Sequence, residues 1–208
     1  MSLEKNLFAL AKVCIDTPDP DDKINLVNEL LAQWFLKNLD CNSREPAISI
    51  PVPGRPSAPA LVAFIATPAR GLGDKNGKAA FIHAIAHIEF NAINLAMDAV
   101  YRFRGLPECF YSNWLKVAAE EGRHFKLLSD RLQSLGFGYG DFSAHNGLWE
   151  MAMLTEHSLL ERMALVPRLL EARGLDVTPK MIQRLKSLGD LQTVSILETI
   201  LNEEIGHV

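Results

Sequence analysis

The sequence predicts an all-α protein, a four-helix bundle that is preceded by N-terminal helices and a proline-rich wrapping segment. Three observations lead to this prediction. Apolar residues recur at helical spacing over long stretches, glycines and prolines separate those stretches, and acidic residues interrupt two of the apolar stripes in the same way. A chain of 208 residues with 48% hydrophobic content is also long enough to bury one good-sized core.

The first part of the chain, residues 1–77, is predicted to hold two helices and the wrapping segment. Leu3–Val13 and Lys23–Leu39 have helical patterns, and a turn-rich run at 16–21 separates them. Residues 41–77 contain six prolines, which exclude a packed helix and leave an ordered wrap or a flexible linker. A wrap is favoured, because a linker would expose the apolar side chains of Leu61, Val62, Phe64 and Ile65.

The bundle is predicted to span residues 78–208 and to form one compact domain with the N-terminal part. The chain is expected to reverse direction near Gly105, between the first two helices of the bundle. The glycine-rich run 136–140 marks the crossover to the second pair, and Gly189 marks the last turn.

The run Glu121-Gly122-Arg123-His124 places an acid and an imidazole close together on a helix. The surrounding apolar stripe assigns Glu121 to the core. His124 lies three residues on, about one turn along the helix, so both side chains point the same way. A single Glu-x-x-His is common on helix surfaces, but an ionised acid that leaves water must be paired or must coordinate a metal.

A second copy, Glu204-Ile205-Gly206-His207, again interrupts an aliphatic stripe. A dinuclear metal site in a helix bundle combines two such motifs with one carboxylate from each of two further helices. Glu89 is the first of these predicted carboxylates, because it lies 32 residues before Glu121 and the breaker Gly105 lies at the midpoint. A chain reversal there would bring both acids level on antiparallel helices.

The fourth carboxylate is Glu171, Glu161 or Glu156, and periodicity does not choose among them. Glu171 is preferred and Glu161 comes next. Glu171 lies 33 residues before Glu204, and the turn signal Gly189-Asp190 lies beside the midpoint of these two acids. This choice predicts that the run 172–179, which contains a glycine and a Thr-Pro pair, breaks the helix directly after Glu171.

Each motif glutamate follows another acid, which predicts a role for that acid in orienting the histidines. A ligating imidazole usually donates its remaining N–H to a carboxylate. We expect Glu203 to serve His124 and Glu120 to serve His207, the alternative being two solvated surface acids. His87 lies on a different helix face from the nearby acid and is expected to pack or hydrogen-bond rather than bind metal.

Composition excludes several other classes of protein. A net charge of −4 and a pI near 5.9 lack the basic excess of nucleic-acid-binding proteins. The longest apolar stretch, Ala58–Thr67, is too short to cross a membrane, and no signal peptide is expected at the start of the chain. Three cysteines without C-x-x-C spacing fit a reduced, cytoplasmic compartment.

Six segments of the chain have distinctive sequences that can identify relatives: His83–Glu89, Ala119–Phe125, Tyr139–Asp141, Arg162–Arg168, Leu170–Pro179 and Asn202–Val208. They resemble an uncharacterised bacterial ferritin-like family of unknown function, which implies a ferritin-like four-helix dimetal bundle without an agreed substrate. A more distant similarity is to the diiron tRNA hydroxylases of the ferritin-like superfamily, which share the doubled motif but not the strings between. Members of the family continue beyond the final His-Val, so a second metal ion is expected to be weakly held in a chain that stops there.

The sequence thus predicts a non-haem dinuclear metal protein. Carboxylate and imidazole ligands suit iron, with manganese as the alternative. The leading hypothesis is an oxidase or oxygenase that uses dioxygen or peroxide on an unknown organic substrate, and the alternative is a metal-binding or iron-handling protein without substrate turnover. Expected partners are a small-molecule or modified-base substrate, an electron donor for an oxygenase and a second copy in a homodimer, but no membrane. No catalytic residue is assigned beyond the predicted ligands Glu89, Glu121, His124, Glu171, Glu204 and His207.

Overall fold

The computed structural model describes residues 5–43, 45–68, 71–166 and 172–206, and these residues form an all-α helical bundle, as predicted. The described residues contain no β-strand, only two isolated bridge pairs. No helix among them is long and apolar enough to cross a membrane. The α-helices are α1 (Leu7–Asp16), α2 (Pro20–Phe35), α3 (Lys75–Arg102), α4 (Glu108–Ser134), α5 (Gly147–Leu154), α6 (Leu159–Leu165), α7 (Ala172–Ser187) and α8 (Leu191–Glu204).

Side-chain caps fix where the first two helices begin. The Asn6 side chain accepts a hydrogen bond from the backbone N–H of Ala9, and Asp19 caps α2 in the same way. Pro20 follows Asp19 at the first position of α2, where its missing N–H costs nothing. The second helix therefore begins three residues earlier than the sequence pattern predicted. It also ends earlier, since Lys37 has a positive φ of 59°.

The described part of the segment between α2 and α3 is an ordered wrap without an α-helix. Ile50 is buried, and the backbone N–H of Gly54 donates to the Ile15 carbonyl over 2.8 Å. Further along, a 3-10 turn at Phe64–Ala66 leaves Phe64 71% and Ile65 94% exposed. The prediction that wrapping covers these two side chains was wrong. Backbone hydrogen bonds between residues 60–62 and Ala144 hold the preceding residues, and the 3-10 turn leaves both side chains exposed.

Contacts divide the chain into two compact units, and α3 and α4 each contribute residues to both. The first unit comprises Met1–Ser57 and Glu89–Arg123. In its core the Tyr111 ring packs edge-on against Phe8 and Trp34, with ring centroids 5.6 and 6.1 Å away. The domain boundary predicted between residues 77 and 78 stays a prediction.

The second unit comprises Ala58–Ile88 and His124–Val208. A buried ionic network holds the start of α8 in this unit. The carboxylate of Asp190 accepts hydrogen bonds from Lys78 over 3.0 Å and from Arg131 over 2.9 Å. It also caps α8 by accepting a hydrogen bond from the backbone N–H of Thr193. One acid thereby ties α3, α4 and α8 together.

Glycines in the left-handed region terminate several helices where the sequence predicted breaks. Gly105 follows α3 with a φ of 73°, Gly136 follows α4 with 79°, and Gly189 follows α7 with 74°. The predicted single third helix is instead the short pair α5 and α6. Ser158 caps α6, and the buried guanidinium of Arg162 donates to the Ala152 carbonyl at the end of α5.

The predicted break over 172–179 was wrong, because α7 runs unbroken from Ala172 to Ser187 with Pro179 inside it. A proline there removes the N–H that would bond to the Leu175 carbonyl. Asp176, Val177 and Pro179 are exposed, so this part of the helix is accessible to water. Thr178 is therefore an interior helical residue rather than a cap.

Candidate metal centre

The first Glu-x-x-His motif lies in the interior of α4, with both side chains buried. Glu121 is 1% exposed and His124 is fully buried. The apolar residues of the same stripe are also buried, which explains why the helix turns the acid inward. The buried members of this stripe are Leu115, Ala118, Phe125, Leu128 and Leu132.

The imidazole of His124 is fixed by two neighbouring acids on the last turn of α8. Its Nε2 lies 2.6 Å from Oε2 of Glu203, and its Nδ1 lies 3.7 Å from Oε1 of Glu204. Because Nε2–H donates to Glu203, the Nδ1 of a neutral ring carries a lone pair that faces Glu204. The contact that the sequence predicted between Glu203 and His124 is therefore present.

The separation between Nδ1 and Glu204 matches two atoms that share a cation. At 3.7 Å it is too long for a hydrogen bond. Two ligand atoms that each lie about 2.1 Å from one ion can be at most about 4.2 Å apart. The pair therefore fits two ligands of the same ion.

Four of the six predicted ligands lie together. Glu89, Glu121, His124 and Glu204 each offer one ligand atom, and these atoms all lie within 4.8 Å of one another. Glu89 is buried like the α4 pair, and Glu204 is half-buried. Three ionised carboxylates this close repel one another, and burial removes the water that would screen them. Protons or a cation must offset that charge, so the buried cluster is suited to bind a metal ion.

The cluster contains oxygen and nitrogen donors but no thiolate. That donor set suits iron, manganese or zinc bound by carboxylate and imidazole.

The remaining predicted ligands fall elsewhere. Glu171 and His207 lie outside the described residues, so both stay predictions. Glu161 has an exposed carboxylate 3.2 Å from Nε2 of His157, and Glu156 is half-buried. Within the described part of the chain, neither of these two reserve acids belongs to the cluster. Glu120 is half-buried, and its predicted role also stays untested because its expected partner is His207.

His87 forms hydrogen bonds through both ring nitrogens, and a hydrogen-bonding role was predicted. Its Nδ1 lies 2.8 Å from the Tyr139 hydroxyl, and its Nε2 lies 3.1 Å from the His145 carbonyl oxygen. A carbonyl only accepts, so Nε2 carries the hydrogen and Nδ1 accepts from the tyrosine. Both ring nitrogens are therefore engaged.

Sequence reasoning missed the partner of His83. The Nε2 atom of this buried imidazole accepts a hydrogen bond of 2.9 Å from the backbone N–H of Gly140. The His83 ring also stacks on Tyr139, with centroids 5.2 Å apart. The only signal in the sequence was the glycine-rich run 136–140, which permits a close backbone approach but does not name its partner.

Comparisons with known proteins identify the family of this chain. Residues 16–208 match a family described as Protein of unknown function (DUF455). A protein of Haemophilus influenzae, which is named Uncharacterized protein, is 46% identical over 208 residues, covering 95% of this chain and 72% of that protein. No solved structure shows a significant match. Because the family match extends over nearly the whole chain, this chain belongs to the family described as Protein of unknown function (DUF455).

Proposed function

We propose that this chain is a ferritin-like dinuclear metal protein that holds two iron ions, with manganese as the alternative, and oxidises an organic substrate with dioxygen or peroxide. The observation that carries the proposal is the cluster of ligand atoms within 4.8 Å of one another. The proposed ligands are the four clustered residues together with two from outside the described part of the chain: Glu89, Glu121, His124, Glu204, Glu171 and His207.

The charge of the proposed ligand set supports two ions. Four carboxylates carry four negative charges, and neutral imidazoles add none. Two divalent cations would balance that charge, which a buried site requires. The clustered carboxylates and imidazole would hold the ions, since their ligand atoms lie within 4.8 Å of one another.

The chain's own residues would hold and orient the metals. Bound iron would supply electron exchange with dioxygen or peroxide. Glu203 keeps the hydrogen of His124 on Nε2, so the lone pair of a neutral ring is on Nδ1, the atom that would bind a metal ion. Phe125 and Leu128 are buried on the same helix, so apolar side chains follow the motif.

Metal analysis and an oxygen reaction test the proposal. The purified protein should bind up to two iron or manganese ions for each chain when it is loaded with excess metal. After anaerobic loading with ferrous iron, oxygen should produce a rapid change in the optical spectrum in proportion to the bound metal. His124→Ala should lose most of the metal, because it removes a ligand from the buried cluster.

An exposed histidine provides the matched control. His157→Ala removes an imidazole that pairs with exposed Glu161, so it should bind metal like the unaltered protein. Protein without bound iron or manganese, or H124A with unchanged metal content, would overturn the metal site. Slow growth of an iron mineral in place of the stoichiometric change would overturn the oxidase part and support iron handling.

A further inference from the structure

Two consecutive residues of α2 contact the helices that carry Glu89 and Glu121. Lys23 is fully buried, and its Nζ donates to the Cys14 carbonyl over 2.6 Å, to the Ile15 carbonyl over 2.9 Å and to Oδ1 of Asn94 over 2.7 Å. An ammonium group has three donors, so these three acceptors use all of them. Lys23 is therefore fixed in position.

Lys23 contacts α3 directly after Glu89. Asn94 lies five residues beyond Glu89, and the Phe90 ring, next to Glu89 in sequence, lies with its centroid 5.6 Å from the Lys23 Nζ. A cation over an aromatic face adds to the hydrogen bond with Asn94. Two contacts therefore hold α3 at the turn that follows the candidate ligand.

Ile24 contacts α4 directly after Glu121. A Cβ atom added at Gly122 would lie 3.2 Å from Cγ1 and 3.4 Å from Cγ2 of Ile24, which is tighter than ordinary packing. Glycine inside a helix costs about 0.5–1 kcal/mol relative to alanine. At this position it allows α2 to approach the backbone of α4.

We propose that α2 sets the spacing between Glu89 and Glu121, with Lys23 and Ile24 as positioning residues and Gly122 as the contact point. One helix fixes both ligand-bearing helices within a residue of each acid, so a shift of α2 changes the separation of the two carboxylates. This inference rests on the proposed function, because it assumes that both acids bind metal.

The variant Gly122→Ala tests this contact, with Co²⁺ as the probe. The added methyl pushes Ile24 away, so we expect Co²⁺ affinity to fall about tenfold, the lower end of the range for groups that orient ligands. The visible absorption of bound Co²⁺ should change as well, because its intensity depends on coordination geometry. The double variant G122A with Ile24→Ala removes the clashing atoms and should restore both affinity and spectrum.

Ser112→Ala is the matched control. It removes the 2.8 Å hydrogen bond from the Trp34 indole, another contact between α2 and α4, but ten residues before Gly122. S112A should lower thermal stability without changing Co²⁺ affinity. Lys23→Met is the second variant, and it should weaken Co²⁺ binding because α3 loses its fixed contact.

The outcomes separate this inference from the proposed function. If the unaltered protein binds no Co²⁺, iron or manganese, the proposed function fails and the inference fails with it. If the unaltered protein binds metal but G122A or folded K23M binds it equally tightly, the inference alone is overturned. Equal weakening in S112A, or no recovery in the double variant, would also overturn it.

Discussion

Two adjacent carboxylates on the last turn of α8 contact different atoms of one imidazole. Glu203 accepts from Nε2 of His124 over 2.6 Å, whereas Glu204 lies 3.7 Å from Nδ1. The first contact fixes the tautomer and orientation of the ring, and the second places a carboxylate beside the remaining lone pair. Neighbouring residues of the same type thus act differently because of the atom that each one contacts.

Substituting Glu203 should weaken metal binding without removing a ligand. In Glu203→Ala the imidazole loses the acceptor that orients it, so metal affinity should fall about 10–100-fold. A metal titration followed by calorimetry measures this change. Glu198→Ala is the control on the same helix, since Glu198 forms only an exposed ion pair with Lys186 among the contacts described. Unchanged affinity in E203A would show that His124 does not depend on this contact.

Single residues differ in how well the sequence reveals their role. The proximity of Glu121, His124 and Glu204 could be predicted, because an acid that interrupts an apolar stripe needs a partner inside the protein. Lys23 gave no such signal, since its acceptors include two carbonyl groups at the end of α1. Every residue has a carbonyl, so contacts of this kind leave no trace in side-chain identity.

At the scale of elements, α7 is the helix whose sequence pattern was most misleading. The glycine, aspartate and Thr-Pro pair at 174–179 are each typical of a break, yet the helix continues through them. Propensity is a weak constraint that tertiary contacts override. Contacts between α7 and α8 supply that constraint, and the later part of α7 buries Ile182 and Leu185.

The variant Pro179→Ala should therefore stabilise the protein. Alanine restores the hydrogen bond to the Leu175 carbonyl and removes the clash of the proline ring with that carbonyl, which together are worth about 3 kcal/mol in a helix interior. It also loses about 1 kcal/mol, because the unfolded chain becomes more flexible. We expect the free energy of unfolding to rise by about 1–2 kcal/mol, measured by urea titration. Pro20→Ala is the control, because Pro20 occupies the first position of α2 and blocks no hydrogen bond. A gain in P20A as large as that in P179A would contradict this explanation.

At the scale of the whole molecule, the helices and turns followed from the sequence but the division into two units did not. Apolar periodicity and glycine breakers depend on neighbouring residues, so they predicted the long helices and the turns at Gly105 and Gly189. Each unit combines distant parts of the chain, such as Met1–Ser57 with Glu89–Arg123. Local patterns contain no information on which distant segments meet.

The Asp190 network should make global stability depend on pH in the acid range. Burial raises the pKa of Asp190, but hydrogen bonds from Lys78 and Thr193 and the charge of Arg131 outweigh it and lower the pKa from 3.8 to about 2. A lowered carboxyl pKa stabilises the fold fully above the unfolded value of 3.8, and the effect is lost as pH falls toward 2. The contribution is about 2 kcal/mol.

Urea unfolding between pH 5 and pH 2 checks this dependence. The Asp190→Asn variant cannot ionise at this position, so its stability should fall less over that range than that of the unaltered protein. Asparagine is also a good helix cap, so the comparison tests the charge of Asp190 separately from its capping of α8. Parallel pH profiles for the two proteins would exclude Asp190 as a source of the acid sensitivity.

If the cluster binds metal as proposed, the position of Glu204 at the final residue of α8 predicts how the ion would enter and leave. The other clustered residues lie inside the long helices α3 and α4, whereas terminal turns open most readily. Fraying of that turn would release one ligand at a time, so metal exchange should proceed without global unfolding. Hydrogen–deuterium exchange should slow at the amides of 201–204 when metal binds and stay unchanged in the interior of α4. Equal protection of residues 201–204 and of the α4 interior would mean that metal exchange does not depend on opening of the last turn of α8.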